Sequence, residues 1–235
     1  MERPLSHRPA FDAQMEALEK DLLEMVSRAE GMVADAVQSV VRLDRDLAEK
    51  VFDADDDIDR LDYAIEQKCL ELLALQQPMG RDLREIGTIL KVITDVERIG
   101  DLAVDIAKTG LKINQDGGDP SVVDLVVIAD KARRMVREAV TAFVKGDLSD
   151  FGEIAELEDQ VDSYYRDIRE QVFTYMRANP EHAVACVWLV LALHHIERIA
   201  DHATNIAERV GYMVTGRLEG LTEGPGTEEG PESII

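Results

Sequence analysis

Apolar residues along this chain recur three and four positions apart over long stretches, and the strict alternation of a half-buried strand is absent. Residues 11–43 carry Met15, Leu18, Leu22, Met25, Val26, Met32, Val33, Val37, Val40 and Val41, the spacing of a buried helix face. Residues 46–76 repeat it with Leu47, Val51, Ile58, Leu61, Ile65, Leu72 and Leu73. Pro78 stands where a helix N-terminus tolerates proline and opens a third segment ending near Lys112. Asn114-Gln-Asp-Gly-Gly-Asp-Pro120 combines turn-forming residues and reads as a loop. After it the order begins again. A helix is expected over residues 121–145, then a break at Gly146-Asp147 with Asp147 as the cap of a helix over 150–177. Asn179-Pro180 is a second break, and residues 181–216 form a third helix.

The two halves also align residue by residue. Met32-Val-Ala-Asp-Ala-Val37 matches Met135-Val-Arg-Glu-Ala-Val140, and Asp55-x3-Asp59 matches Glu158-x3-Asp162, both at an offset of 103. Pro78 matches Pro180, and Glu97-Arg-Ile-Gly-Asp101 matches Glu197-Arg-Ile-Ala-Asp201 at an offset of 100. The expected fold is all-α, a tandem duplication of a long three-helix bundle with six helices related by a pseudo-twofold axis. The expected organisation is an extension over residues 1–9, a first repeat over 10–113, a linker over 114–120, a second repeat over 121–217 and a disordered Gly/Pro/Glu-rich tail over 218–235.

Charge narrows the partners. Forty-eight acidic against 26 basic residues give a net charge of −22, which opposes binding to nucleic acid. The two cysteines, Cys69 and Cys186, lie far apart in apolar helical sequence and read as core residues of a reducing compartment. Met1 to Pro9 is polar and has no secretory pattern. No stretch reaches the roughly 20 apolar residues of a membrane span, the nearest being residues 183–196. A cytoplasmic protein is expected, peripheral to a membrane through partners only.

The chemistry lies in carboxylates that share helix faces with apolar residues. At 100° per residue, Glu97 and Asp101 fall on the side of Leu90, Ile93 and Val104, and Asp105 extends the row. On the second helix Asp55, Asp59, Asp62 and Glu66 form one stripe between Phe52 and Leu73, whereas Asp53, Asp56 and Asp57 read as solvated positions. Two such stripes facing each other must protonate, recruit arginines or bind cations. Oxygen donors suit hard ions such as Mg²⁺, Mn²⁺, Ca²⁺ or oxidised iron. The second repeat carries fewer acids: Tyr165 and Arg169 replace Asp62 and Glu66, and Asn205 replaces Asp105, with Arg169 placed to neutralise an acid. His194, three residues before Glu197 and seven before Asp201, is a candidate nitrogen ligand that would admit zinc or iron, or else a hydrogen-bonded histidine. His195, His182, His202 and His7 read as surface positions.

With their four acidic motifs in two three-helix units, residues 10–217 resemble the PhoU family. The resemblance implies a cytoplasmic, non-catalytic negative regulator of the phosphate regulon. Such a protein is an adaptor between the ATPase of the Pst phosphate transporter and a PhoR-type histidine kinase, and commonly a homodimer. It further implies iron or another metal (zinc, manganese, magnesium) in multinuclear clusters near the surface. The first cluster would use Asp55, Asp59, Glu97 and Asp101, with Asp105 in addition; the second would use Glu158, Asp162, Glu197 and Asp201.

Two other function classes compete. A ferritin-like di-metal oxidase or metal-storage bundle would use Glu-x-x-His on two helices. Glu181-His182 has the wrong spacing for it, and His194-x-x-Glu197 runs in the reverse order. A purely structural bundle with adventitious cations would lack a signalling partner. Neither a Gly-rich phosphate loop nor a Ser/His/Asp or Cys/His set is present at suggestive spacing.

Overall fold

A computed structural model describes residues 8–149 and 151–217. Among them are six α-helices and no strand: α1 (Pro9–Arg42), α2 (Arg45–Gln76), α3 (Arg81–Gln115), α4 (Leu125–Lys145), α5 (Phe151–Ala178) and α6 (Ala183–Thr215). Short 3₁₀ turns at Pro120–Val122 and Pro180–His182 precede α4 and α6. The expected tail and the first seven residues lie outside the described residues.

The helix ends follow local chemistry. Pro9 opens α1, and Leu43 closes it in the left-handed conformation (φ 51°), its N–H returning to Ser39 and Val40 carbonyls. The Asp44 carboxylate then caps α2 by accepting from Leu47 N–H at 3.0 Å. Two starts and one cap differ from the expectation, besides a two-residue delay of α6, which begins at Ala183 after the Pro180–His182 turn. Pro78 lies in the α2–α3 turn, and α3 begins only after Gly80 (φ 59°). α4 begins at Leu125 rather than residue 121, because Asp124 caps it and Pro120 is spent on the 3₁₀ turn. Asp147 accepts from Ser149 N–H within the α4–α5 turn instead of capping α5.

The three-helix units join along their third helices. α2 packs on α1 and α3, and α5 on α4 and α6. The most extensive contact of all is α3 against α6, with α1 against α4 beside it. The pair runs antiparallel. Arg84 Nε donates to the Met213 carbonyl at 3.2 Å near one end, and Trp188 Nε1 donates to Asp116 Oδ2 at 2.9 Å near the other. α3 and α6 are thus enclosed on several sides, and their interiors are aliphatic: Ile89, Val92, Val96, Ile106, Leu189, Leu193, Ile196 and Val210 are buried.

That enclosure corrects one expectation. The stretch Pro180–Thr215 is long and apolar enough for a membrane span, with mean hydropathy 1.5 over an 18-residue window. Its buried residues, from Ala185 and Leu189 to Val210 and Met213, pack against α3, α4 and α5 as in the central helix of a bundle, whereas Val184 and Val187 at its start stay exposed. Cys69 and Cys186 are free and buried, and burial followed by the field of Glu66 pushes the Cys69 thiol up to about 12.

The connection between repeats is tight at Gly118. A Cβ there would lie 2.4 Å from Ala185 Cβ and 3.0 Å from Ile113 Cγ2. Gly118→Ala is therefore expected to lower stability by about 1–3 kcal/mol through overpacking. Gly31→Ala, in the interior of α1 with no atom within 4 Å of the added methyl, should raise it by about 0.5–1 kcal/mol. Urea unfolding of both variants checks the pair, and a neutral Gly118→Ala would contradict the described α3–α6 register.

Candidate functional site

Because α3 and α6 are adjacent and α1 and α4 are adjacent, the α2–α3 and α5–α6 grooves open on the same side of the molecule, away from the α1–α4 contact. The antiparallel pairing sets their acidic motifs at one height, flanking the α3–α6 seam. Each groove holds one cluster.

In the first groove α2 packs directly on the Glu97-Arg-Ile-Gly-Asp101 turn of α3, at a distance that would also admit alanine. A Cβ on Gly100 would sit 3.4 Å from Ile58 Cγ2 and 3.5 Å from Asp55 Oδ1, so the Asp55 carboxylate rests on the motif's own backbone. In the second repeat the counterpart is the buried Ala200, and the longer Glu158 stands in place of Asp55. Glu158 Oε1 accepts from Thr204 Oγ1 at 3.1 Å.

The acids raise one another's affinity for protons. Burial first, then Asp59 and Asp101, lifts Asp55 above the ordinary carboxylate range. Glu97 is lifted by burial and Asp101, with smaller contributions from Asp62 and Asp59. Asp62 is lifted by burial, Glu66 and Asp59. In the second groove burial lifts Glu158, Glu197 and Asp201, and Asp162 adds to all three. Asp201 reaches solvent, yet the protein around it still moves it upward. Each groove is a concentration of like charge that its own cations do not cancel.

Counter-charges are present but partial. Arg98 spans its motif, with Nε 3.3 Å from Glu97 Oε2 and Nη1 2.6 Å from Asp101 Oδ2. Arg198, its counterpart, draws Asp201 downward. His194 Nδ1 lies 3.2 Å from Glu197 Oε2 and also acts on Asp201, so the second groove mixes nitrogen with oxygen where the first is all oxygen. Thr94 occupies the position corresponding to His194 in the first repeat.

Asp55, Asp59, Asp62, Glu97 and Asp101 thus come together, as do Glu158, Asp162, His194, Glu197 and Asp201. Glu66 lies beyond Asp62 and acts chiefly through it. Asp105 lies at the margin of the first cluster, toward α6, paired with Lys108 at 2.9 Å and facing His195, and the same Lys108 draws Asp55 downward. Arg169 lies over the Tyr165 ring, its Cζ 5.4 Å from the centroid, with Nε buried and unpartnered; it neutralises no acid of the cluster among the described contacts.

The seam holds residues that the sequence reading placed at the surface. His202 Nδ1 and Asp95 Oδ1 are 2.9 Å apart, with side chains only 13% and 17% exposed, and Asn205 Nδ2 reaches the same Asp95 oxygen at 3.5 Å. His195, half-buried, has its Nδ1 without a partner, and burial draws its pKa down while Asp105 opposes. His182 Nδ1 meets the Tyr175 hydroxyl at 2.8 Å. The signal for the seam was in the duplication: Asp95 aligns with His195 and Asp105 with Asn205, so one polar pair recurs across the axis.

The donor set of these grooves is hard, acidic and incompletely neutralised, the chemistry that a hard cation takes. Among the described residues, no three His, Cys, Asp or Glu side chains are gathered tightly enough, as they stand, to hold an ion. The fit is therefore one of charge and donor type.

The comparisons with known proteins agree with this architecture. The PhoU domain family model matches residues 22–109 and 125–210. The chain is 36% identical over 216 residues to the phosphate-specific transport system accessory protein PhoU homolog of Pseudomonas aeruginosa, covering 90% of this chain and 89% of that one. It is 32% identical to the homolog of Clostridium acetobutylicum, covering 92% and 99%. To PhoU of Escherichia coli it is 30% identical, covering 88% and 86%. Among solved structures, PhoU from Pseudomonas aeruginosa superposes with a TM-score of 0.82 at 35% identity, covering 88% of this chain and all of that one. The phosphate transport system regulatory protein PhoU from Streptococcus pneumoniae gives 0.76 at 27% identity, covering 89% and 99%.

The crowded acids carry a pH signature. Their folded pKa values lie above the ordinary 3.8 of Asp and 4.5 of Glu, so the native state binds more protons than the unfolded one in the window above those values. The stability they contribute is present below that window and is lost as pH rises through the raised values. In EDTA-treated protein, Asp55→Asn combined with Glu158→Gln should raise the melting temperature at neutral pH and flatten its fall between the acid range and neutrality. A lower melting temperature for the double variant at neutral pH would show that the acids are compensated in the metal-free fold.

Proposed function

The chain belongs to the PhoU family, and on that premise we propose that it is a non-catalytic accessory regulator of phosphate transport that works in the cytoplasm with the Pst system. The observation that carries the mechanistic part is the pair of matched carboxylate clusters, set at one height on one face and holding more negative charge than Arg98, Lys108 and Arg198 offset. Asp55, Asp59, Glu97 and Asp101 would hold a cation in the first groove, and Glu158, Asp162, Glu197 and Asp201 in the second. Asp105 and Asp62 stand at the margins of the first, and His194 at the margin of the second. Iron, zinc, manganese and magnesium are the metals that these donors serve, the second groove leaning toward iron and zinc through His194.

A bound cation would supply charge neutralisation and a positive centre able to attract inorganic phosphate. The chain's own part is to hold two repelling carboxylate rows at a fixed separation through the α3–α6 packing, so that occupancy changes the field over the whole face. That face is the one we assign to docking, on the transporter ATPase and on a PhoR-type sensor kinase, with a homodimer as the working unit. The relatives are named as accessory or regulatory proteins, which supports the non-catalytic reading.

Metal content by mass spectrometry, on protein purified without a metal-affinity column, tests the first half. Stoichiometric metal in the wild type that is lost in Asp101→Ala/Asp201→Ala is the expected result. A folded wild-type protein free of metal would remove the clusters from the mechanism. Co-purification with the Pst ATPase and with the kinase cytoplasmic region, under phosphate-replete conditions, tests the second half. Absence of binding to both would refute the adaptor role.

A further inference from the structure

The α2–α3 turn carries an apolar group that the fold does not cover. Met79 is 83% exposed, Leu75 76% and Leu83 48%, the first two being the most exposed large hydrophobic residues described. Three such side chains at the apex of one turn are more than the scattered exposure usual on a soluble surface.

The same end is cationic, on a chain of net charge −22. Arg8 donates to the Gln76 carbonyl at 2.9 Å and lies 3.8 Å from Asp82. Arg81 is exposed and reaches the α4–α5 turn, 3.1 Å from where a Gly146 Cβ would stand, next to Lys145. Arg84 donates to the Met213 carbonyl and lies 3.9 Å from where a Gly216 Cβ would stand, so that Arg217 also joins this end. Asp82 and Arg8 offset each other, Glu85 is buried and Asp147 is engaged in its own turn, so Arg81 and Arg84 supply the positive charge beside the apolar group. An occupant of this surface should combine apolar anchors with negative charge.

Residues 218–235 have that composition and are tethered there. They lie outside the described residues, and their sequence is Leu-Glu-Gly-Leu-Thr-Glu-Gly-Pro-Gly-Thr-Glu-Glu-Gly-Pro-Glu-Ser-Ile-Ile, with five glutamates and no lysine or arginine. Leu218 follows Arg217 directly, and Leu221 is the fourth residue after it. Four residues span at most about 14 Å, enough for Leu221 to pass from the end of α6 to the first turn of α3. Tethering presents the segment at an effective concentration in the millimolar range, so weak contacts suffice.

We propose that residues 218–235 bind in cis to the α2–α3 apex, with Leu218 and Leu221 against Leu75, Met79 and Leu83 and their glutamates beside Arg81 and Arg84. The apex is then a docking surface that the chain itself covers, and an external acidic partner must displace this segment to use it. The device is independent of metal.

The test uses the full chain and two readouts: the ¹³C-methyl resonance of Met79 and its rate of oxidation by dilute peroxide, mapped by mass spectrometry. In the wild type at low salt, Met79 should oxidise several-fold more slowly than in Leu218→Asp/Leu221→Asp or in Arg81→Glu, and its methyl resonance should shift between them. The protection should weaken with added salt and be independent of protein concentration. Identical Met79 rates and shifts in all three proteins would overturn the proposal. So would protection that grows with protein concentration, which would make a second copy the occupant, or protection lost only on deletion of residues 1–7.

Discussion

The antiparallel packing of α3 on α6 is the contact on which everything else in this molecule depends. A three-helix unit of this length leaves one flank of its third helix without a partner, and duplication supplies it. Once the two third helices lie together, α1 meets α4, the α2–α3 and α5–α6 grooves turn to one side, and the four acidic motifs fall at one height. The seam is mainly aliphatic, with the Asp95–His202 contact set into it and Arg84, Thr88 and Trp188 tying the length of the pair. An apolar interface of this kind tolerates a cost elsewhere, and the cost is carboxylates whose pKa values are lifted first by burial and then by one another.

Much of this could be read from the residues alone because each fact depended on local spacing. The 3.6-residue period along α1, α2 and α3 identified helices, and the recurrence of Glu-Arg-Ile-Gly/Ala-Asp identified the duplication and the all-α fold. The face of Glu97 and Asp101 followed from the same angle, and the structure sets Asp101 near Asp55 and Glu97 near Asp59 and Asp62, acids expected opposite them.

What escaped was set by the second repeat. His195 and His202 read as surface positions because a single three-helix unit leaves that flank of α6 in water; only the packed pair buries it. The apolar run in α6 looked too short for a membrane span when cut at His194 and His195, yet the helix continues through Ile196, Ile199, Ala203, Ile206 and Val210, all buried. Asp105 seemed to continue the row of Glu97 and Asp101. Eight residues of helix, though, turn it by 800°, 80° past two full turns, which carries it toward α6 and Lys108. Arg169 was assigned to an acid by alignment, but its neighbour one turn earlier is an aromatic ring, and stacking won.

Anomalous diffraction from crystals grown with a transition metal, after removal of the native ions, bears most directly on the central claim that both grooves are cation sites. The account predicts one group of peaks bounded by Asp55, Asp59, Glu97 and Asp101 and a second bounded by Glu158, Asp162, Glu197 and Asp201, the latter within reach of His194. Peaks confined to other parts of the surface, or grooves still spanned by Arg98 with no anomalous density at either motif, would contradict it.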